Sequence, residues 1–200
     1  MWYYVKNFLF SFAYLIFMGL VPYGIETIGS GTFRILLNVG NVLLFLFLMG
    51  FFMMKEGEES RKRLKVNDME RKRILQTGEL RPIKRAPEFR PWKGFFMGFN
   101  ACAPLILTML IHALIYLFGG TNETAGVIGV TMYMGFFMPY IMLKYGTLLK
   151  EDIFFTEYFA SLYAVVIIVL LYGLMYLLGA KKIERQYAFI EERTKLAKRG

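Results

Sequence analysis

The chain has 200 residues, which would suit one soluble domain, but 56% of them are hydrophobic and the mean hydropathy is +0.45. In a soluble protein, the net charge of +9 would suggest nucleic acid as a partner. Here most basic residues lie in two polar stretches that alternate with long apolar runs, the pattern of a membrane protein obeying the positive-inside rule. The composition therefore argues against a soluble core and against a nucleic-acid partner.

The N-terminal region, residues 1–54, predicts a transmembrane hairpin. Its first apolar run, residues 8–25, lacks a small-residue cleavage site and leads towards a second run, so it is expected to stay in the membrane as a signal anchor. A short turn over 26–34 precedes the second span, 34–54. An interfacial aromatic anchor precedes the first span: Trp2, Tyr3 and Tyr4.

Residues 55–93 form a basic insert that contains thirteen Lys or Arg and seven Asp or Glu. No helix breaker follows Met54, so the second helix is expected to continue into the insert and to end at Gly78. Prolines then favour extended backbone up to Trp92. Three acid-first pairs at i,i+4 support the helix: Glu58 with Lys62, Glu59 with Arg63, and Asp68 with Lys72.

The insert is the predicted contact surface for anionic lipid or for a protein partner. Trp92 and Lys93 are typical of a membrane-interface anchor, with the lysine reaching out to the interface. The alternative is that the insert only fixes the orientation of the protein in the membrane. The predicted lipid or partner contacts are Arg61, Lys62, Arg63, Arg71, Lys72, Arg73, Arg90, Trp92 and Lys93.

The C-terminal membrane region, residues 94–180, contains three apolar segments. Two of them carry a proline, and we expect helix kinks at Pro104 and at Pro139. Gly94, Gly98 and Cys102 repeat every four residues and predict a face for close helix packing. The segments are residues 94–118, 126–143 and 158–178.

The predicted fold is an all-α polytopic integral membrane protein, a small bundle of five apolar helices. If the insert and the charged tail helix, residues 181–200, are both cytoplasmic, an even number of crossings must separate them. The preferred interpretation is four crossings with 126–143 re-entrant, because that segment is short and rich in glycine. Five crossings with the tail outside are the alternative.

Polar side chains inside the predicted spans form a hypothetical ligand or transport path. Asn38 and Asn41 share one face of the second span. Asn100, Thr108 and His112 follow one stripe on the third, and the imidazole could pass protons. The alternative is that these groups only form hydrogen bonds between helices.

The sequence lacks the motifs of metalloproteases, serine hydrolases and phosphate-binding loops, and one cysteine, Cys102, excludes a cysteine-based zinc site within this chain. We therefore expect a non-enzymatic accessory or scaffold subunit without cofactor or metal, in a bacterial plasma membrane with a cytoplasmic N-terminus. A small transporter or oligomeric channel is the second hypothesis, and a lipid-modifying enzyme is the third.

Overall fold

The computed structural model describes three helices, and the residues it describes contain no strand. The helices are α1 (Gly31–Thr77), α2 (Lys93–Leu117) and α3 (Leu162–Ala197). The described residues are 4–6, 8, 9, 13, 21, 25, 31–78, 89–118 and 162–197, and those between 4 and 25 are helical.

The chain divides into two compact units. One comprises Met1–Leu48 and Met97–Leu170, and the other comprises Met49–Phe96 and Leu171–Gly200. The second unit therefore combines the C-terminal part of α1, the first turn of α2 and most of α3. Most of the described hydrogen bonds and ion pairs between polar side chains lie in this second unit.

Helix α1 is 47 residues long and runs without a break from its apolar half into the basic insert, as predicted. Its described part begins at Gly31, so residues 31–34 of the predicted turn are helical, and the rest of that turn lies outside the described residues. It ends at Thr77 because Gly78 adopts a φ of 70°. The Gly78 N–H donates to the carbonyl oxygen of Ile74 at 2.9 Å, which confirms the predicted C-terminal cap.

Helix α2 begins directly after a turn in which the Lys93 N–H donates to the carbonyl oxygen of Arg90 at 3.0 Å. Its backbone stays helical across Pro104 and continues to Leu117. The other predicted kink, at Pro139, lies outside the described residues. So do the segment 126–143 and the prolines at positions 82 and 87.

Helix α3 is 36 residues long and joins the last apolar segment to the charged tail. The predicted tail helix is confirmed as far as Ala197. Like α1, this helix is apolar in its first half and strongly polar in its second.

Both α1 and α3 are long and apolar enough to cross a membrane. Their apolar halves expose large side chains, which would be costly in water and is compatible with insertion in lipid. On α1 these include Leu36, Leu43, Leu44, Phe47, Phe51 and Phe52, and on α3 they include Val166, Ile167, Leu170, Leu174 and Leu178.

Candidate functional site

Glycines bring α1 and α3 into backbone contact in the second unit. A Cβ atom at Gly57 would collide with the carbonyl oxygen of Tyr176, and one at Gly179 would collide with the carbonyl oxygen of Met54. Each helix thus has a glycine at the point where the main chain of the other helix approaches it. Such close approach favours dispersion contacts and weak Cα–H···O bonds along the crossing.

The first turn of α2 packs on the same crossing. A Cβ atom at Gly94 would lie 2.6 Å from Cβ of Tyr176, and one at Gly173 would collide with the ring of Phe95. The predicted role of Gly94 in close helix packing is therefore confirmed. Three helices meet here with no room for an added methyl group at these positions.

A buried ion pair lies at the start of α2. The Nζ atom of Lys93 donates to Oε1 of Glu56 at 3.1 Å and to Oγ of Ser60 at 2.9 Å. The Ser60 hydroxyl in turn donates to Oε1 of Glu56 at 2.9 Å. Lys93 is 2% exposed and Ser60 is fully buried, so these three side chains form a closed polar triangle. We call it the Lys93 cluster.

Burial lowers the pKa of Lys93 below the ordinary lysine value of 10.5. Glu56 opposes this shift through its charge and its hydrogen bond, whereas the charge of Arg63 adds to it. The expectation that Lys93 reaches the membrane interface is therefore corrected, because Glu56 and Ser60 hold its amino group inside the protein.

Aromatic and cationic side chains surround the Lys93 cluster. The ring of Phe89 stacks on that of Tyr176, with centroids 5.4 Å apart, and the guanidinium of Arg61 lies 5.1 Å from the Phe89 centroid. The Lys93 amino group lies 5.8 Å from the Tyr176 ring. These contacts tie the segment before α2 to both long helices.

Beyond the crossing, the polar ends of α1 and α3 lie side by side, and we call residues 55–77 and 181–197 together the polar arm. Lys182 donates to Oε1 of Glu58 at 2.8 Å, and Arg61 pairs with Glu184. Further along, the amino group of Lys65 lies 6.0 Å above the ring of Tyr187. Because the partners advance together along both chains, the two helices are parallel.

The facing positions of the polar arm follow spacings of three and four residues, as in a coiled coil. Burial along this line falls with distance from the crossing. On α1 the positions are Gly57, Ser60, Leu64, Asn67, Arg71 and Ile74, and on α3 they are Gly179, Ile183, Tyr187, Ile190 and Thr194. Ile183 is 1% exposed, whereas Ile190 is 58% exposed. The apolar line on α3 from Ile183 to Ile190 is thus buried only at its start.

One of the three predicted pairs within α1 is present as expected, with Arg63 Nη2 3.1 Å from Oε2 of Glu59. Asp68 is paired with Arg71 at 3.3 Å, one residue closer than Lys72. The third acid, Glu58, reaches across to α3. A tertiary contact with α3 therefore replaces the pairing of Glu58 within α1 that the local spacing predicted.

Among the predicted lipid or partner contacts, Arg61 and Arg63 are half-buried in ion pairs. The other members of that set, apart from Lys93, are exposed: Lys62, Arg71, Lys72, Arg73, Arg90 and Trp92.

The first unit contains one described contact of the predicted transport path. The side-chain amide of Asn100 donates to the carbonyl oxygen of Tyr4 at 3.3 Å, which is a bond between helical segments. Asn41 is half-buried on α1. Asn38, Thr108 and His112 lie in helical backbone, but their side chains are outside the described part of the structure, so the proposed common face stays a prediction.

Glu56 and Ser60, which complete the Lys93 cluster, were not among the residues predicted from the sequence. Glu56 and Ser60 are four apart, and the coiled-coil spacing through Gly57 and Ser60 could have indicated that this face of α1 is buried. The partner Lys93 is separated from them by a proline-rich segment, so no local pattern connects it to α1.

No protein-family model matches this chain, and neither a curated protein nor a solved structure matches it. The function is therefore argued from the geometry described above.

Proposed function

We propose that this protein is a non-enzymatic integral membrane protein, an accessory or scaffold subunit that presents the polar arm to a partner or to anionic lipid. The observation that carries this proposal is the continuity of α1 and α3. Each passes unbroken from an exposed apolar half into a charged half, and glycine contacts and cross-helix ion pairs join the charged halves. Such a pair of helices can hold a binding surface at a fixed distance from a bilayer.

The same pairing supports a topology. The ion pair between Glu58 and Lys182 supports placing the polar ends of α1 and α3 on one side of the membrane. We infer an even number of crossings between them, supplied by α2 and α3, with segment 126–143 not crossing. The basic charge assigns this side to the cytoplasm. The N-terminus is then cytoplasmic too, in a four-crossing protein of the bacterial plasma membrane.

Cysteine labelling tests this topology in a Cys102→Ser background. We expect Lys72→Cys and Gly200→Cys to resist a membrane-impermeant maleimide in intact cells and to react after permeabilisation. Thr121→Cys lies between segments 94–118 and 126–143, on the side that this topology assigns to the outside, and serves as the control that reacts in intact cells. Labelling of Gly200→Cys from outside, with Lys72→Cys protected, would overturn the same-side arrangement.

Crosslinking in native membranes tests the subunit role. A scaffold should lose its crosslinked neighbour when Arg71, Lys72 and Arg73 are changed to Glu, whereas Asn38→Leu should leave the neighbour in place. The opposite result, with the neighbour retained and a pH-dependent solute flux abolished by Asn38→Leu, would replace the scaffold by a transporter.

A further inference from the structure

The outer part of the polar arm leaves part of its facing surface unburied. Ile190 on α3 is 58% exposed although it continues the line of the buried Ile183, and Leu75, beside the corresponding line on α1, is 86% exposed. We call the surface formed by Arg71, Ile74, Leu75, Ile190 and Thr194 the distal seam. In a two-helix coiled coil the partner helix would cover the positions on the facing lines, Arg71, Ile74, Ile190 and Thr194, and Leu75 borders them.

Basic residues dominate around the distal seam. Residues 62–77 contain six basic and two acidic side chains, and residues 185–197 contain three and two. The hydrogen bond from Lys195 lowers the pKa of Glu191 below its ordinary value, and the charges of Lys65 and Lys72 lower it further. A ligand that covers the distal seam must therefore be acidic as well as apolar.

The distance of the distal seam from the membrane distinguishes two sources of negative charge, anionic lipid and an acidic partner. Lys72 is about 25 Å along the helix from Lys55, where α1 would leave the bilayer. Transmembrane helices tilt by about 20° on average, so most of this distance is height above the headgroups. Electrostatic attraction is screened within about 8–10 Å at physiological salt. Anionic lipid of the same membrane can attract Lys55 and Lys181, but not the cations of the distal seam.

We propose that the distal seam binds an acidic amphipathic helix of a protein partner. The helix places its apolar side chains over Leu75 and Ile190 and its carboxylates beside Arg71, Lys72 and Arg193, completing a three-helix bundle. A second copy of this chain fits poorly because its own arm is basic. This inference rests on the proposed scaffold function and names the class of partner.

The test uses the full-length protein in nanodiscs of neutral phosphatidylcholine. The probe is a fluorescent synthetic helix of about three heptads, with leucine on the seam-facing positions and glutamate on the flanks. A control peptide of equal charge carries serine in place of leucine. Fluorescence anisotropy is expected to show binding of the leucine peptide that weakens with added salt, and little binding of the serine peptide.

Two pairs of variants locate the site. Binding should weaken at least tenfold when Arg71, Lys72 and Arg73 are changed to Glu, and similarly in a Leu75→Asp/Ile190→Asp variant. The matched control, Lys55→Gln/Lys181→Gln, removes cations near the membrane and should bind normally. Circular dichroism of each variant checks that the helices are intact.

Several outcomes would overturn the proposal. These are absence of binding, equal binding of the serine peptide, and equal loss in the Lys55→Gln/Lys181→Gln control. Concentration-dependent dimerisation through the seam would assign the surface to a second copy instead. If binding fails while the labelling of Lys72→Cys and Gly200→Cys places both on one side, the topology stands and only the docking inference is lost.

Discussion

The two ends of the α1–α3 pairing use the same residue spacing but differ in packing. Near the crossing, Gly57 and Gly179 allow backbone contact, and Lys93 and Ser60 of the Lys93 cluster are buried. In the distal seam the facing positions carry larger side chains, and Arg71, Ile190 and Thr194 are exposed whereas Ile74 is half-buried. The comparison teaches that the coiled-coil spacing sets which side of a helix faces its neighbour, whereas side-chain size sets how closely the neighbour approaches.

The largest expected effect is at the crossing. Gly179→Ala and Gly57→Ala each place a methyl group against main chain, which cannot move without separating the helices, so each should cost about 3 kcal/mol or more of unfolding free energy. Titration with SDS in mixed micelles, followed by circular dichroism, measures the loss. Gly40→Ala is the matched control, because a Cβ there meets nothing within 4 Å. Equal behaviour of Gly57→Ala and Gly40→Ala would refute the close crossing.

The next effect concerns the Lys93 cluster. Glu56→Gln leaves the buried Lys93 charge without its carboxylate and should cost about 3–5 kcal/mol. The same SDS titration should show that Glu56→Leu/Lys93→Met recovers most of this loss, since it removes both charges. Glu191→Gln, in an exposed pair, should leave the unfolding free energy nearly unchanged. A double variant as unstable as Glu56→Gln would mean that the cluster contributes packing rather than charge compensation.

Stability should also depend on pH through Lys93. Burial makes the pKa of Lys93 lower in the folded than in the unfolded protein, so the unfolded state binds more protons between the two values. Lys93 therefore costs stability below its folded pKa, and this cost disappears as the pH rises toward 10.5. Chemical denaturation at increasing pH should show a more positive slope for the native protein than for Lys93→Met. Parallel slopes would contradict the pKa shift.

A smaller effect is expected for the exposed ion pair of the polar arm. Lys182→Ala should lower stability by at most about 1 kcal/mol, because the Lys182 side chain is largely exposed and the pair is screened by water and salt. Thermal melts at low and high salt should converge for the native protein and this variant. A large, salt-independent loss would indicate that the pair is a principal link between the helices.

The smallest effect on stability should occur in the distal seam. Ile190→Ser replaces an exposed side chain and should change the unfolding free energy by less than about 0.5 kcal/mol, while peptide binding weakens. If Ile190→Ser destabilises the protein as strongly as Ile183→Ser, the seam is packed along its whole length and the comparison between its two ends fails.

The sequence was sufficient for the features that depend on neighbouring residues. The absence of a breaker after Met54 predicted the unbroken helix α1, Gly78 predicted its end, and the tail helix followed from its composition. Residues 31–34 were predicted as part of a turn and are helical, because propensity alone is weak after a glycine.

The candidate site was predictable only in part. Arg71, Lys72 and Trp92 were identified correctly as exposed, because charged and interfacial residues seldom pack inside. Lys93 was assigned to the surface for the same reason. That assignment was wrong, because the buried amino group of Lys93 forms hydrogen bonds with Glu56 and Ser60. Compensation of this kind depends on residues far apart in the chain and has no local signature.

By itself, the sequence determined the helical class, the apolar halves of α1 and α3, the long continuous helices and the basic character of the insert, since hydrophobicity, charge and helix capping act locally. Only the tertiary structure decided that α1 and α3 lie parallel, that Glu58 pairs across to Lys182, and that Lys93 is buried. Those outcomes depend on glycines that let two backbones touch, and such a contact is formed between distant segments rather than within either one.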